Sequence, residues 1–331
     1  MNILIFEYIT GGGLVGEVLP SSLLSEGELM LNAVAKDFSE MTDVQVSVMR
    51  DYRLQRNSYV GDEYVVTAEC SYTQVIDKVA KSIYALLIIA PESEDILSTL
   101  CKKYSDREFI LLNSTSKSTE LMGNKFNTYK YLQSYDIAQI PTYEVTDIKS
   151  ITSDKVIIKP NDGVGCGNIQ LLTASANTNL AADQLDTKNY IAQPYLQGQS
   201  ASLCLLCWNG ECIVLSANTQ NIEEIEDSLE LKSCIVNILD RQQFVGFCKK
   251  LIKVLPGLRG YVGVDILIIE DEVLLVEVNP RLTTSYVGLR SALGVNPAEL
   301  ILQTFANQKL PEFTAPLDNS VTVEIGAERG A

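Results

Sequence analysis

The sequence of 331 residues contains no histidine. That absence removes Ser-His and Cys-His nucleophile pairs, His-ligated zinc and an imidazole general base. Chemistry must then rest on carboxylates, Lys, Arg, Tyr, Cys, metal ions or the substrate itself. Long apolar runs are also missing. The longest, Ile83-Tyr84-Ala85-Leu86-Leu87-Ile88-Ile89-Ala90, is far short of the roughly 20 residues that cross a bilayer, and it reads as a buried central strand. No basic start followed by an apolar core and a small-residue cleavage site marks export, so a cytoplasmic protein with no membrane partner is expected. Positive charge is scarce and scattered: 26 Lys and Arg stand against 42 Asp and Glu, for a net charge of −16. This argues against a nucleic-acid partner and requires any phosphate ligand to be met by local cations.

What is present is ordinary globular composition, 46% hydrophobic and 21% charged, over a length that allows two or three packed domains. The eight cysteines, Cys70, Cys101, Cys166, Cys204, Cys207, Cys212, Cys234 and Cys248, are thinly spread and expected to be reduced. Cys204 and Cys207 spell CxxC within the strand-like SASLCLLCW. Residues three apart on a strand face opposite sides, so these read as core cysteines.

Residues 1–112 alternate strand and helix signals: NILIFEYI, a helix over 25–40, VQVSVM, a helix over 71–81, YALLIIA, a helix over 92–104 and EFILLN. The alternation predicts a parallel sheet with helices on its faces. Residues 114–136 read as helical, Pro141 breaks the pattern, and VIIKPNDGVGCGNIQLL reads as two strands around a glycine loop. Beyond 189 come the strands YIAQPYL, SASLCLLCW, CIVLSA, YVGVDILII and VLLVEVN, with helices over 241–254 and 285–293 and another starting at Asn296-Pro297.

The opening Gly11-Gly12-Gly13-Leu14-Val15-Gly16 spells the GxGxxG of a dinucleotide fold. Such a fold wants an acidic residue about 20 positions later, whereas the second strand ends near Asp51, 35 residues after Gly16. No helix starts directly after these glycines. A structural loop, or a small-substrate loop beside Glu7, is expected instead. The second glycine cluster follows Lys159, which closes an apolar strand, and alternates Gly163, Gly165 and Gly167. Alternating glycines let backbone N–H groups close around phosphate oxygens while the Lys supplies a point charge. With no GKS or GKT following, it is not a Walker loop.

The third signal joins Asp265, in GYVGVD, to Glu277 and Asn279, in LVEVNPR. Glu277 and Asn279 share a strand face, with Leu275 and Val273 expected to precede them on it. A three-residue loop at 270–272 pairs Ile269 with Val273 and sets Asp265 opposite Glu277; a two-residue loop would put the carboxylates on opposite faces. Facing carboxylates repel, and a divalent cation reverses that interaction. Asp, Glu and an Asn carbonyl are hard oxygen ligands of the kind Mg²⁺ takes beside phosphate oxygens. Arg281, just beyond, is placed to meet a transferring phosphoryl group or an oxyanion.

Together these pieces resemble the ATP-grasp family of carboxylate–amine and carboxylate–thiol ligases. The resemblance implies an α/β chain with a doubly wound pre-ATP-grasp domain at 1–112, a small lobe with a glycine lid at 113–188 and a large lobe with the metal site at 189–331. It also implies ATP and Mg²⁺ as cofactors, two ions, with Mn²⁺ as an alternative. Lys125 and Lys159 correspond to the nucleotide lysines. Gln193-Pro194-Tyr195-Leu196 corresponds to the adenine hinge, and Gln199 stands near a position that often holds a ribose-binding acid. Many relatives carry Glu where Gln193 and Gln199 stand. Asp265, Glu277 and Asn279 match the metal ligands; Arg281 and Lys159 take the catalytic charge. Glu7-Tyr8-Ile9-Thr10-Gly11-Gly12-Gly13, 198–202 and the run from Asn279 through Thr284-Ser285 to Gly288 look like the tyramine–glutamate ligase branch of that family. The branch implies L-glutamate and an aromatic amine as substrates in methanofuran-type biosynthesis, Glu7, Gly12, Gly13, Thr284 and Ser285 near them, and a homodimer through the N-terminal domain. A ligase for another amino acid or dipeptide, and a nucleotide-binding regulatory protein without turnover, are the alternatives.

Overall fold

Three sheets carry the chain in the computed structural model, which describes residues 1–163, 169–173 and 189–325. The first comprises β1 (Asn2–Glu7), β2 (Gln45–Asp51), β3 (Asp62–Val66), β4 (Ala85–Ile89) and β5 (Ile110–Leu111), interleaved with α1 (Ser21–Ser39), α2 (Tyr72–Val79) and α3 (Ile96–Tyr104). All four pairings are parallel, in the order β3-β2-β1-β4-β5. β1 and β4 are continuous apolar runs because both sheet faces are covered: Ile3, Ile5 and Leu87 pack beneath α1, while Leu4, Phe6 and Leu86 pack on the side of α2 and α3. The strand order reverses between β1 and β4, where α/β sheets open a crevice at the carboxyl ends of their strands. Glu7 and Glu92 lie at that end. The short edge strand β3 escapes the sequence pattern because DEYVV is half exposed and carries no apolar run.

The predicted helical stretch at 114–136 is two helices, α4 (Ser116–Gly123) and α5 (Lys125–Gln133). Asn124 between them is extended and caps α5 by accepting the Asn127 N–H. The second sheet, ordered β6-β9-β7-β8, holds β6 (Tyr143–Glu144), β7 (Lys155–Pro160), β8 (Gln170–Thr173) and β9 (Tyr190–Pro194). β7 and β8 are the two antiparallel strands expected around the glycine loop, and β9, grouped by sequence with the following lobe, pairs with β7.

The third sheet is antiparallel, ordered β14-β13-β10-β11-β12-β15. Its strands are β10 (Gln199–Trp208), β11 (Glu211–Ile225), β12 (Ser228–Leu239), β13 (Gly260–Ile269), β14 (Glu272–Asn279) and β15 (Val321–Glu324). The helices α6 (Val245–Lys253), α7 (Tyr286–Leu293) and α8 (Pro297–Asn307) accompany it. Cys204 and Leu206 face the core shared with α1, α7 and α8, while Cys207 and Leu205 face the one with α6, so the CxxC residues point to opposite cores. The described cysteines are all free; Cys166 lies outside the described residues.

α1 belongs to the first sheet yet packs on the third sheet's helices. Tyr286 donates to Asp37 at 2.9 Å, Arg290 pairs with Asp37 at 3.1 Å and Asn296 donates to the Asp37 carbonyl at 2.8 Å. The N-terminal domain is thereby fixed beside the exit of β14. Among the described residues no helix is long and apolar enough to cross a membrane.

Candidate functional site

The β13–β14 hairpin closes through a two-residue loop, since Ile269 pairs with Glu272 and Ile268 with Val273. The expected three-residue loop does not form. By simple alternation this would place Asp265 and Glu277 on opposite faces, but a bulge at Val276 adds one residue to β14, and Asp265 pairs directly with Glu277. The same bulge corrects the expectation for Leu275 and Val273. Both pack with the opposite core, with Val278, while Glu277 and Asn279 face away from it.

Asp265 accepts from Asn279 Nδ2 at 2.8 Å on one oxygen and from Gln220 Nε2 at 2.9 Å on the other. Burial, and then the facing Glu277 carboxylate, push its pKa up to about 6 against these two amides. Gln220 comes from the middle of β11, 45 residues before Asp265, and no sequence signal marked it. Lys125, the first residue of α5, stands 3.1 Å from Glu277 and also donates to the Gly163 carbonyl at 2.5 Å. A cation is therefore already drawn to the Glu277 side of this pair. Among the described residues no three His, Cys, Asp or Glu side chains converge as in a closed metal centre. Two carboxylates and the Asn279 carbonyl oxygen do fit Mg²⁺, which keeps most of its coordination for water and phosphate oxygens.

Asn161, at the base of the glycine turn, clamps the start of α5: its carbonyl accepts from Lys125 N at 2.9 Å and its side chain from Phe126 N at 2.9 Å. Lys159 is buried at the end of β7. Gly165 and Gly167 lie outside the described residues. Between the second and third sheets, a cleft is lined by Lys125, Thr128, Tyr129, Thr142, Gln193 and Glu277 among others. Gln193 is buried there and donates to Thr142 Oγ1 at 2.8 Å. Pro194, Tyr195 and Leu196 lead away from it half-buried, and Gln199 is exposed at the start of β10, outside the lining.

Arg281 follows as β14 ends. Its Nε lies 3.0 Å from both oxygens of Glu92, a residue just past β4 of the first sheet, and its Nη1 donates to the Leu282 carbonyl. Burial opposes its charge, but Glu92, with Glu277 and Glu26 near it, more than offsets that and raises its pKa. Burial pushes the carboxyl of Glu26 on α1 up, against the pull of Arg281 and Thr284. Ser285 turns the other way, into a buried polar layer where its hydroxyl meets Ser202 at 3.2 Å and Cys234 at 3.8 Å. Sequence periodicity could not have found Glu92, because its contact with Arg281 arises only where the loop after β4 meets the end of β14.

The opening glycines are packing positions. Glu7, 3% exposed, accepts the N–H groups of Ile9 and Thr10 and ties the loop to its own strand. Gly12 has φ +90° and a Cβ there would fall 2.5 Å from Val66, while one at Gly13 would fall 2.5 Å from Tyr8. α1 begins only at Ser21.

Residues 122–285 match the ATP-grasp domain family and residues 44–119 the pre-ATP-grasp domain family. A tyramine–L-glutamate ligase of Methanocaldococcus fervens is 28% identical over 315 residues, covering 93% of this chain and 95% of its own length. That of Methanocaldococcus jannaschii is 28% identical over 325 residues, covering 93% and 90%. The solved structure of an ATP-grasp superfamily protein from Archaeoglobus fulgidus superposes with a TM-score of 0.70 at 22% identity, covering 98% of this chain and 99% of that one. At that identity the likeness is one of fold.

Proposed function

The chain belongs to the ATP-grasp family of ADP-forming carboxylate–amine ligases, and from that premise we propose that it joins the side-chain carboxylate of L-glutamate to tyramine. The observation that carries the chemistry is the Asp265–Glu277 pair, brought face to face by the Val276 bulge and bridged by Lys125 to the glycine turn. Phosphoryl transfer asks the protein for positioning and charge neutralisation rather than for a covalent group. A chain without histidine can supply both.

In this reading the cleft beside Gln193 takes the adenine, with 194–196 as its hinge and Gln199 toward the ribose. Lys125 and Lys159 hold phosphate oxygens. Asp265, Glu277 and Asn279 hold magnesium, taken as two ions, which when bound neutralises the phosphate charge. The glutamate carboxylate attacks the γ-phosphorus, the bond to the β–γ bridging oxygen breaks, and ADP leaves. Arg281 then faces the acyl phosphate, whose carbonyl carbon the amine attacks to give the amide and phosphate. The substrates are inferred from the names of the two methanogen relatives. A role in methanofuran-type biosynthesis rests on the resemblance to the tyramine–glutamate ligase branch.

The test is phosphate release from Mg-ATP with L-glutamate and tyramine, with the product identified by mass. A product of glutamyl-tyramine mass, absent when either substrate is omitted, is the expected result. Release with a different acid or amine would make the chain a ligase of other substrates. ATP binding without release under any combination would favour a regulatory nucleotide-binding role.

A further inference from the structure

Glu92, just past β4, holds Arg281 by one edge only. A carboxylate and a guanidinium commonly pair fork to fork, through two parallel N–H donors. Here both Glu92 oxygens lie 3.0 Å from Nε alone, and Nη1 donates to the Leu282 carbonyl at 3.1 Å. Two anchors fix a planar group, and among the described residues Nη2 is left without a partner. The Arg281 side chain keeps 12% of its surface open and that of Glu92 only 5%. The unused edge of Arg281 is the part a ligand can reach.

The backbone that delivers Glu92 is strained. Glu94 (φ 54°) and Asp95 (φ 56°) are consecutive left-handed residues that carry side chains, a conformation L residues avoid. The turn is held in place from several sides. Glu94 N donates to Asp162, at the glycine turn, at 3.1 Å, and Leu97 N donates to the Pro91 carbonyl at 3.1 Å. The Glu92 carbonyl sits against the end of α4, where a Cβ on Gly123 would fall 3.4 Å from it. Docking of the first sheet on the third does not require this turn, because Asp37 already ties α1 to Tyr286, Arg290 and Asn296. Nor is a buried ion pair by itself an efficient source of stability, since both charges lose their hydration. A strained turn that carries one buried carboxylate to one arginine, and touches the glycine turn as well, is a device of the site.

Resting on the ligase reading above, we propose that Glu92 is a positioning residue: by clasping Nε it presents the Nη2 edge of Arg281 to the phosphoryl and acyl-phosphate oxygens. A long, flexible donor stabilises a transition state only if it already waits in place. Glu92 supplies that place without consuming Nη2. The sign of the electrostatics separates this role from simple charge balance. Were Glu92 only a counter-charge, its removal would leave Arg281 less neutralised and tighten the binding of phosphate. As a positioner, its removal frees the guanidinium to swing out of line, and phosphate binding weakens although the site has become more positive.

The experiment compares the full chain with Glu92→Gln, Glu92→Asp and Asp95→Gly. Inorganic phosphate is titrated calorimetrically into protein saturated with Mg-ADP, and phosphate release from Mg-ATP with L-glutamate and tyramine gives kcat and KM. Glu92→Gln is expected to weaken phosphate binding about tenfold and lower kcat about 10²-fold, with KM for ATP within about twofold of the wild type. Glu92→Asp, which keeps the charge at a shorter reach, should recover part of both. Asp95→Gly leaves the buried pair whole and relaxes the turn, so phosphate affinity and kcat should fall a few-fold while Tm holds or rises. In an Arg281→Lys background, Glu92→Gln should cost no further kcat. Phosphate binding that is unchanged or tighter in Glu92→Gln would overturn the proposal and leave the ligase reading intact. So would a kcat loss that persists in full beside Arg281→Lys. If Glu92→Gln does not fold, Asp95→Gly carries the test, and unchanged phosphate affinity there overturns the proposal. A wild-type protein that releases no phosphate with L-glutamate and any amine would instead overturn the ligase reading, and the calorimetric comparison would still decide the role of Glu92.

Discussion

Gly12 in the opening loop and Asp265 in the β13–β14 hairpin are both under local conflict, for opposite reasons. At Gly12 the backbone is left-handed and Val66 fills the space a side chain would need, so the residue serves packing. At Asp265 a carboxylate faces another carboxylate in a partly buried setting, an arrangement that costs stability and persists for what it can bind. A motif spelled correctly can be filler, and an awkward pair can be the site. What separates them is whether the local conflict is resolved by the fold or left for a ligand to resolve.

Substitutions can split the two regions. The largest effect is expected from Asp265→Asn, which should lower ADP formation by at least about 10²-fold while the Tm of the metal-free protein holds or rises; parallel losses of Tm and activity would mean that the pair is structural. Gly12→Val should do the reverse, lowering stability by about 2 kcal/mol or more, read as a fall of several degrees in Tm, with ATP affinity kept. Lys125→Met should weaken ATP binding by about tenfold, because it removes the cation that joins Glu277 to the glycine turn. Gln193→Ala should weaken it less, by a few-fold, measured by titration with ATP analogues that lack or keep the adenine amine.

The smallest effect is a pH slope. Native Asp265 keeps its proton up to about 6, against 3.8 for an ordinary Asp. The folded state thus binds more protons than the unfolded chain in that window, and stability of the metal-free protein should fall as pH rises through it, by on the order of 1–2 kcal/mol. Asp265→Asn should flatten the slope, and saturating Mg²⁺ should do the same in the wild type. Urea titrations at several pH values measure both.

Much of the first sheet was legible, because a strand buried on both faces is a continuous apolar run and a helix is a periodic one. β3 and β12 were not, since their residues are half exposed and give neither pattern. In the candidate site, the residue types at 265, 277, 279 and 281 were legible as hard ligands and a cation. Their geometry was not: the loop expectation was wrong, and Asp265 faces Glu277 only through the bulge at Val276, which no residue type announces.

The sequence by itself determined the chemistry available: carboxylates, lysines and an arginine without histidine, in the order that an ATP-grasp chain uses. The tertiary structure alone decided which groups meet. A one-residue change of register reverses every side chain on a strand, so the bulge chose the face of Glu277. Glu92 reaches Arg281 across 189 residues of chain, from position 281 back to position 92. Such contacts depend on how packed elements dock, a long-range property that local spacing does not encode.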